Sequence, residues 1–223
     1  MRREVLQSDL EKLYTANDMV KAGCNGCAGC SDCCRGMGVS VVLDPLDVYR
    51  MCQGLKTDFN GLMKHGVELN PVDGLILPNL KMTGSEECCT FLNEEGRCSI
   101  HAFRPGVCRL FPLGRYYKDG TFRYFLQQQE CRMQPRTKVK ISKWIDTPEL
   151  KKYEAYVLDW HNFQEEAQEL LKQQNDDQLT KDFNMHLLQT FFITAWGHED
   201  FYAQFAGRMS QMRRLMKILA KTS

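Results

Sequence analysis

The chain has 223 residues, 43% of them hydrophobic, and a net charge of +1, which indicates a globular protein of one domain, or one domain plus a helical appendage, and makes no electrostatic case for nucleic acid. No apolar run approaches the roughly 18–20 residues of a membrane-spanning helix, and the charged opening Met1-Arg2-Arg3-Glu4 has no apolar stretch behind it, so no membrane is expected and the cytosol is the expected compartment. In that reducing setting the 11 cysteines, an odd number, are read as metal ligands before disulfides.

Residues 4–22 place Val5, Leu6, Leu10, Leu13 and Tyr14 on one side, which predicts a packing helix ended by Gly23. There follows Cys24-Asn-Gly-Cys27-Ala-Gly-Cys30-Ser-Asp-Cys33-Cys34, five sulfurs within eleven residues. Gly26, Ala28 and Gly29 are small enough for backbone N–H groups to approach a thiolate or inorganic sulfide. Such a run with a remote fourth cysteine suits an iron–sulfur cluster, and paired C-x2-C units suit structural zinc; spacing alone leaves both open. Val39–Leu43 reads as a short strand. Asp44-Pro45 caps a helix from Leu46 to about Leu55, and Asp58 caps a shorter one through Phe59, Leu62 and Met63 that stops at Gly66. Cys52, beside Val48 and Leu55, reads as a small buried hydrophobe.

From Val67 to about Gln129 the pattern is β-like. Gly74–Leu77 and Asn79–Met82 are apolar runs separated by Pro78, which suits an edge strand or a connector. Cys89–Leu92 and Arg97–Ile100 flank Asn93-Glu-Glu-Gly96 and predict a hairpin. The clearest hairpin joins Arg115–Lys118 to Thr121–Leu126, because Asp119-Gly120 suits a type I′ turn. Beyond it, Thr147-Pro148-Glu149 opens the first of three amphipathic helices, Gln173–Asp177 separates it from the second, and Gly197 ends the second before a third from about Glu199 to Lys221. All the cysteines lie between Cys24 and Cys131, and the 92 residues from 132 to 223 have none. The expected fold is therefore α+β. Residues 1–146 form a small cysteine-rich metal module of short β-hairpins stapled by metal, and residues 147–223 form a helical region packed on it.

Five separated elements in order carry a resemblance: Cys27-x2-Cys30-x2-Cys33-Cys34, Cys89-x-Phe91-Leu92, Cys98-Ser-Ile100, Arg104-Pro105-x2-Cys108-Arg109-x-Phe111-Pro112, and Cys131 at a loosely fixed distance. The chain resembles the YkgJ-type CxxCxxCC cysteine-cluster family, described as zinc- or iron-chelating, whose larger relatives include flagellin lysine methylases with an iron–sulfur cluster. The resemblance implies a metal module with Cys27, Cys30, Cys33, Cys34, Cys89, Cys98, Cys108 and Cys131 as ligands. These eight would serve one or two centres, with a 4Fe-4S cluster expected and zinc the alternative. It departs from the family at His101, where relatives carry an aromatic such as tyrosine. Cys24 keeps the two-residue spacing and is either a replacement ligand or a packing residue, whereas Cys88 adjoins the better-matched Cys89.

Arg104 and Arg109 have two readings: guanidinium donors to a thiolate-rich cofactor or an anionic substrate, or arginines bonding the carbonyls of their own loop. His65, His161, His186 and His198 fall in no metal-binding pattern, although Trp196–Asp200 joins two helices that could face the module. No C-x3-C-x2-C triad, nucleotide-binding glycine loop or nucleophile elbow is present. The expected function is an iron–sulfur protein acting in electron transfer, sensing or modification of a partner protein. A structural zinc module presenting its helices to a partner, and a protein lysine N-methylase, are the alternatives.

Overall fold

The computed structural model describes residues 5–24, 30–131, 133, 136–197 and 200–221. Its α+β architecture consists of four two-stranded antiparallel sheets and a C-terminal layer of helices.

The N-terminal segment departs from the expected helix. Gln7–Leu10 make a single 3-10 turn, Tyr14 exchanges backbone hydrogen bonds of 2.8 and 2.9 Å with Tyr124, and Met19–Gly23 form strand β1. The apolar face that a helix would have buried stays exposed, with Val5 at 47%, Leu6 at 41% and Leu13 at 40%. Within β1 the burial instead alternates, Val20 and Ala22 inward, Met19 and Lys21 outward, as a pleated strand requires. Its partner is β8 (Thr137–Lys140), with Met19 opposite Lys140 and Gly23 opposite Thr137.

Helix α1 (Pro45–Leu55) starts as the sequence predicts, with Asp44 accepting from the Asp47 N–H at 2.8 Å and Asp47 accepting from the Asp44 N–H at 3.2 Å. Helix α2 (Phe59–His65) is capped by Asp58 and stopped at Gly66. The following hairpin pairs β2 (Val67–Val72) with β3 (Leu75–Leu80), and Asp73-Gly74, both at positive φ, makes its turn. Residues 39–43 do not become a full strand. They make one bridge, Val42 to Asn79, flanked by bonds from Leu43 N–H to the Pro78 carbonyl and from Leu80 N–H to the Val41 carbonyl.

Strand β4 (Met82–Thr83) pairs with β5 (Cys88–Cys89). The hairpin expected beyond it is reduced to one bridge, Leu92 to Cys98, closed by Asn93 N–H on the Arg97 carbonyl and Ser99 N–H on the Phe91 carbonyl, both 2.8 Å. After the short helix α3 (Gly106–Leu110), β6 (Leu113–Lys118) and β7 (Thr121–Leu126) form the hairpin expected around Asp119-Gly120. Residues 137–145 carry β8 and helix α4 (Ile141–Ile145), both pinned to the N-terminal segment by Ile141 N–H on the Asp18 carbonyl and Ser142 N–H on the Ala16 carbonyl.

The three C-terminal helices are α5 (Leu150–Gln174), α6 (Asp177–Leu188), which continues as a π turn over Gln189–Ile193, and α7 (Phe201–Leu219). Their shared core is aromatic, with the Trp160 ring 5.5 Å from Phe163, 5.0 Å from Phe191 and 6.4 Å from Phe205 between centroids. The same helices grip α1 and the hairpins. Tyr156 Oη accepts from Leu46 N–H at 3.0 Å, Tyr124 Oη donates to Glu154 at 2.8 Å, and Arg115 donates to Tyr153 Oη at 2.9 Å. Asn184 on α6 accepts from Ile76 N–H at 2.6 Å and donates to the Gly74 carbonyl at 3.1 Å, so one amide fixes the β2–β3 turn.

Candidate metal centre

Cys33 and Cys34 lie in a 3-10 turn (Asp32–Cys34) that places their sulfurs 3.9 Å apart. Cys89 ends β5, Cys98 sits at the bridge to Leu92, and Cys108 occupies the middle of α3. A five-residue helix has little stability of its own, and this one is aimed from outside. Its first N–H, that of Gly106, donates to the buried carboxylate of Asp47 on α1 at 2.7 Å. Glycine is required there: a Cβ would stand 2.6 Å from Tyr153 Oη and 3.5 Å from Asp47 Oδ1. Burial, and secondarily the neighbouring Asp44, hold the Asp47 carboxyl well above the usual carboxylate range, despite the bonds it accepts from Gly106 and Asp44. At the other end Trp144 Nε1 donates to the Leu110 and Phe111 carbonyls at 3.1 and 3.2 Å, satisfying the last carbonyls of α3.

These elements close on one half-open cavity, with about 670 Å³ of empty space including its open mouth, bordered by Cys30, Cys33, Cys34, Cys89, Cys98 and Cys108. Leu80, Met82 and Ile100 supply an apolar wall, and Arg97, His101 and Arg104 supply the polar side. Burial raises the thiols of Cys89 and Cys98, and raises that of Cys108 furthest. Secondary contributions to these shifts come from the other cysteines of the same cavity, chiefly Cys33, Cys89 and Cys98 around Cys108. None of the described cysteines is in a disulfide. Among the described residues no three His, Cys, Asp or Glu side chains are already drawn together as a shell for a single ion.

Arg104 lies in the wall, its Nη1 2.6 Å from His101 Nε2. Because a guanidinium can only donate, His101 accepts through Nε2, and burial followed by Arg104, Arg97 and Arg109 keeps its pKa below the ordinary histidine value. Arg109 takes the other of its two readings: its guanidinium donates to the Asp146 carbonyl at 3.1 Å and the Ala102 carbonyl at 3.3 Å, and it does not border the cavity. Cys88 also points elsewhere, accepting from Arg35 at 2.8 Å. Cys52 is half-buried on α1, its thiol raised to about 11 by burial and then by Asp58. Cys27 lies outside the described residues, as do Gly26, Ala28, Gly29 and His198. Cys131 borders a separate, smaller cavity together with Cys24, Cys30, Cys33 and Asp32.

Arg97 and Asp47 were not singled out by the sequence. Arg97 adjoins Cys98 and could have been found by that adjacency. The pattern around Asp47 announces a helix cap but nothing of a contact 59 residues away.

Six thiols, with an imidazole and guanidinium groups at the edge, are the chemistry of a site for a thiophilic metal. A family model named CxxCxxCC, described as "Putative zinc- or iron-chelating domain", matches residues 26–148, and no curated protein and no solved structure matches the chain. Every residue bordering the larger cavity falls inside that span, which covers more than half of the chain, and the protein therefore belongs to the CxxCxxCC family of zinc- or iron-chelating domains.

Proposed function

We propose that the larger cavity holds an iron–sulfur cluster, ligated by Cys33, Cys89, Cys98 and Cys108, and that the protein serves electron transfer with a partner protein in the cytosol. The observation that carries this reading is the convergence of cysteines from the turn at Asp32–Cys34, from β5, from the bridge at Cys98 and from α3 on one cavity. Six sulfurs border that cavity, enough for a thiolate-ligated cluster with inorganic sulfide inside the ring. When bound, such a cluster supplies one-electron chemistry.

The protein's own groups have defined duties around it. Gly106 and Asp47 orient Cys108, while Leu80, Met82 and Ile100 exclude water on one side. Arg97 and Arg104 stand where positive charge offsets thiolate charge, and the buried Arg104 Nε, which has no hydrogen-bond partner, remains available as a donor.

The family description names zinc as well as iron, and the two metals separate by colour. Protein made with iron available and purified without oxygen is expected to be brown and to contain iron and acid-labile sulfide. A colourless, folded sample with stoichiometric zinc in the larger cavity would overturn the iron–sulfur assignment.

A further inference from the structure

The larger cavity meets the surface at a face whose charge is unlike that of the whole chain. The net charge is +1, yet between Glu95 and Asp119 the sequence carries four arginines, one lysine and no acid. That stretch supplies Cys98 and Cys108. His101 borders the cavity and is also exposed, so the 3-10 turn that carries it (His101–Phe103) stands between the cavity and solvent. The charges that act on the His101 ring are those of Arg104, Arg97 and Arg109, with no carboxylate among them in the described residues. The end of α1 lies against the same turn, because Gly54 packs on the Phe103 ring with no room for a Cβ. Arg50, one turn earlier on that side of α1, is half-buried and near enough to act on Arg109 together with Arg104.

These cations are not used up inside the chain. Among the described residues Arg50, Arg104 and Arg109 make no salt bridge. Arg104 bonds to the neutral acceptor of His101, and Arg109 bonds to two backbone carbonyls, so neither guanidinium has its charge cancelled by the group it touches. Apolar surface accompanies them: Leu55 at the end of α1 and Val107 on α3 remain 36% and 38% exposed. Arginine mixed with apolar surface is the composition of a protein interface, and the planar guanidinium fork matches a carboxylate. A nucleic-acid backbone draws its affinity from a longer run of phosphate contacts than this face offers. A bilayer surface calls for an inserted apolar helix face, whereas α3 has five residues.

We infer that this face, formed by the end of α1, the His101–Phe103 turn and α3, docks a carboxylate-rich surface of the redox partner directly over the cluster cavity. The inference rests on the electron-transfer reading and adds to it where the partner binds and what charge it brings. Arg50 and Arg104 meet the partner's carboxylates, and the wall of His101 and Pro105 is all that separates docked protein from the cavity.

The test uses full-length, metal-loaded protein, reduced and then mixed with one of two outer-sphere oxidants, the anion [Co(EDTA)]⁻ or the cation [Co(NH₃)₆]³⁺. Each cluster gives up one electron and one cobalt passes from +3 to +2, followed by visible absorption. Between about 10 and 200 mM salt the rate with the anion is expected to fall about threefold or more and the rate with the cation to rise, whereas a molecule of net charge +1 with no local field would show almost no change. Arg50→Gln should lower the low-salt rate with the anion about threefold at unchanged cluster absorption, and Arg50→Lys should restore most of it. Lys217→Gln removes the same charge from α7, away from the cavity, and should leave the rate within about 20%. Equal salt dependence for both oxidants, or equal effects of Arg50→Gln and Lys217→Gln, would overturn the proposal. So would binding to anionic phosphatidylglycerol vesicles or to duplex DNA at about 100 mM salt that Arg50→Gln abolishes, which would assign the face to a different polyanion. If the protein is colourless and holds zinc, the electron-transfer reading fails and the docking face is tested without it. The paramagnetic anion [Cr(CN)₆]³⁻ should then broaden amide resonances of residues 50–55 and 101–107 first, which upholds the face, and broadening centred on α7 would overturn it.

Discussion

The cysteine-bearing region and the C-terminal helices solve the problem of stability differently. Helices α5 to α7 bury Tyr153, Trp160, Phe163, Phe183, Phe191 and Phe205, rings packed within a few ångströms of one another. Each large ring removes enough apolar surface from water to contribute on the order of 2–3 kcal/mol. The cysteine-bearing region has four sheets of two strands each, and two-stranded sheets are at best marginal in isolation. Several of its inward side chains are cysteines that border a cavity, and a cavity lined by unliganded thiols forfeits contacts on one side. The buried core runs on from the helices into the cysteine-bearing region through Leu43, Met51, Leu62, Leu75, Leu77 and Ile141, so the two regions differ in how many inward positions are given to cysteine and not in whether they bury a core. Tyr156 holds the start of α1, and Glu154 and Asn184 hold the hairpins, which is how the helices support the cysteine-bearing region.

The sharpest way to break this comparison is to remove the ligands. Cys89→Ser and Cys108→Ser are each expected to abolish metal in the larger cavity and loosen the hairpins while the helical signal in far-ultraviolet circular dichroism persists; retention of full metal by both variants would refute the ligand assignment. A cut in the other half should show the reverse order of effects. Phe163→Ala, at a fully buried position, is expected to cost about 3–5 kcal/mol in denaturant unfolding while folded molecules keep their metal content. A cost below about 1 kcal/mol would show that the aromatic core is not what holds the helices.

Two smaller changes sharpen the comparison where the halves meet. Gly106→Ala forces a methyl group against Tyr153 Oη and Asp47, so it should cost about 1–3 kcal/mol and speed metal loss to a chelator, because Cys108 moves with α3. If metal release is unchanged, the Asp47–Gly106 contact does not orient Cys108. Asn184→Ala leaves the Ile76 N–H without its partner and is expected to cost about 1–3 kcal/mol with no change in metal content, measured by chemical denaturation and metal analysis.

Local chemistry was legible wherever the deciding partners are close in sequence. The caps of α1 and α2, the Asp119-Gly120 hairpin and the amphipathic C-terminal helices follow from neighbours a few residues apart. The other Asp-Gly turn, at Asp73-Gly74, carries the same signal, but Pro71 and Pro78 obscure the two strands that flank it. The N-terminal segment shows the limit. Val5, Leu6, Leu10 and Leu13 fit a helical spacing, yet Met19–Gly23 is held as a strand by residues 137–140, a partner that no local window contains. The same pairing makes residues 137–140 strand β8, which leads directly into α4.

By itself the sequence determined the chemistry: which atoms can bind metal, that they are sulfur, that they cluster ahead of residue 132, and that a cysteine-free helical region follows. Ligand type is a property of single residues, and helix propensity and capping act over a few residues, so both survive without knowledge of the fold. Only the tertiary structure decided how the cysteines divide, with Cys89, Cys98 and Cys108 around one cavity and Cys24 and Cys131 around another, and Cys30 and Cys33 bordering both. That division is made by the β1–β8 pairing, by the seat that Asp47 gives α3 and by the indole of Trp144, contacts across 59 and more residues in the first two cases. Spacing along a chain limits which sulfurs can share a metal, but the direction in which each one points is set by packing against residues far away in sequence.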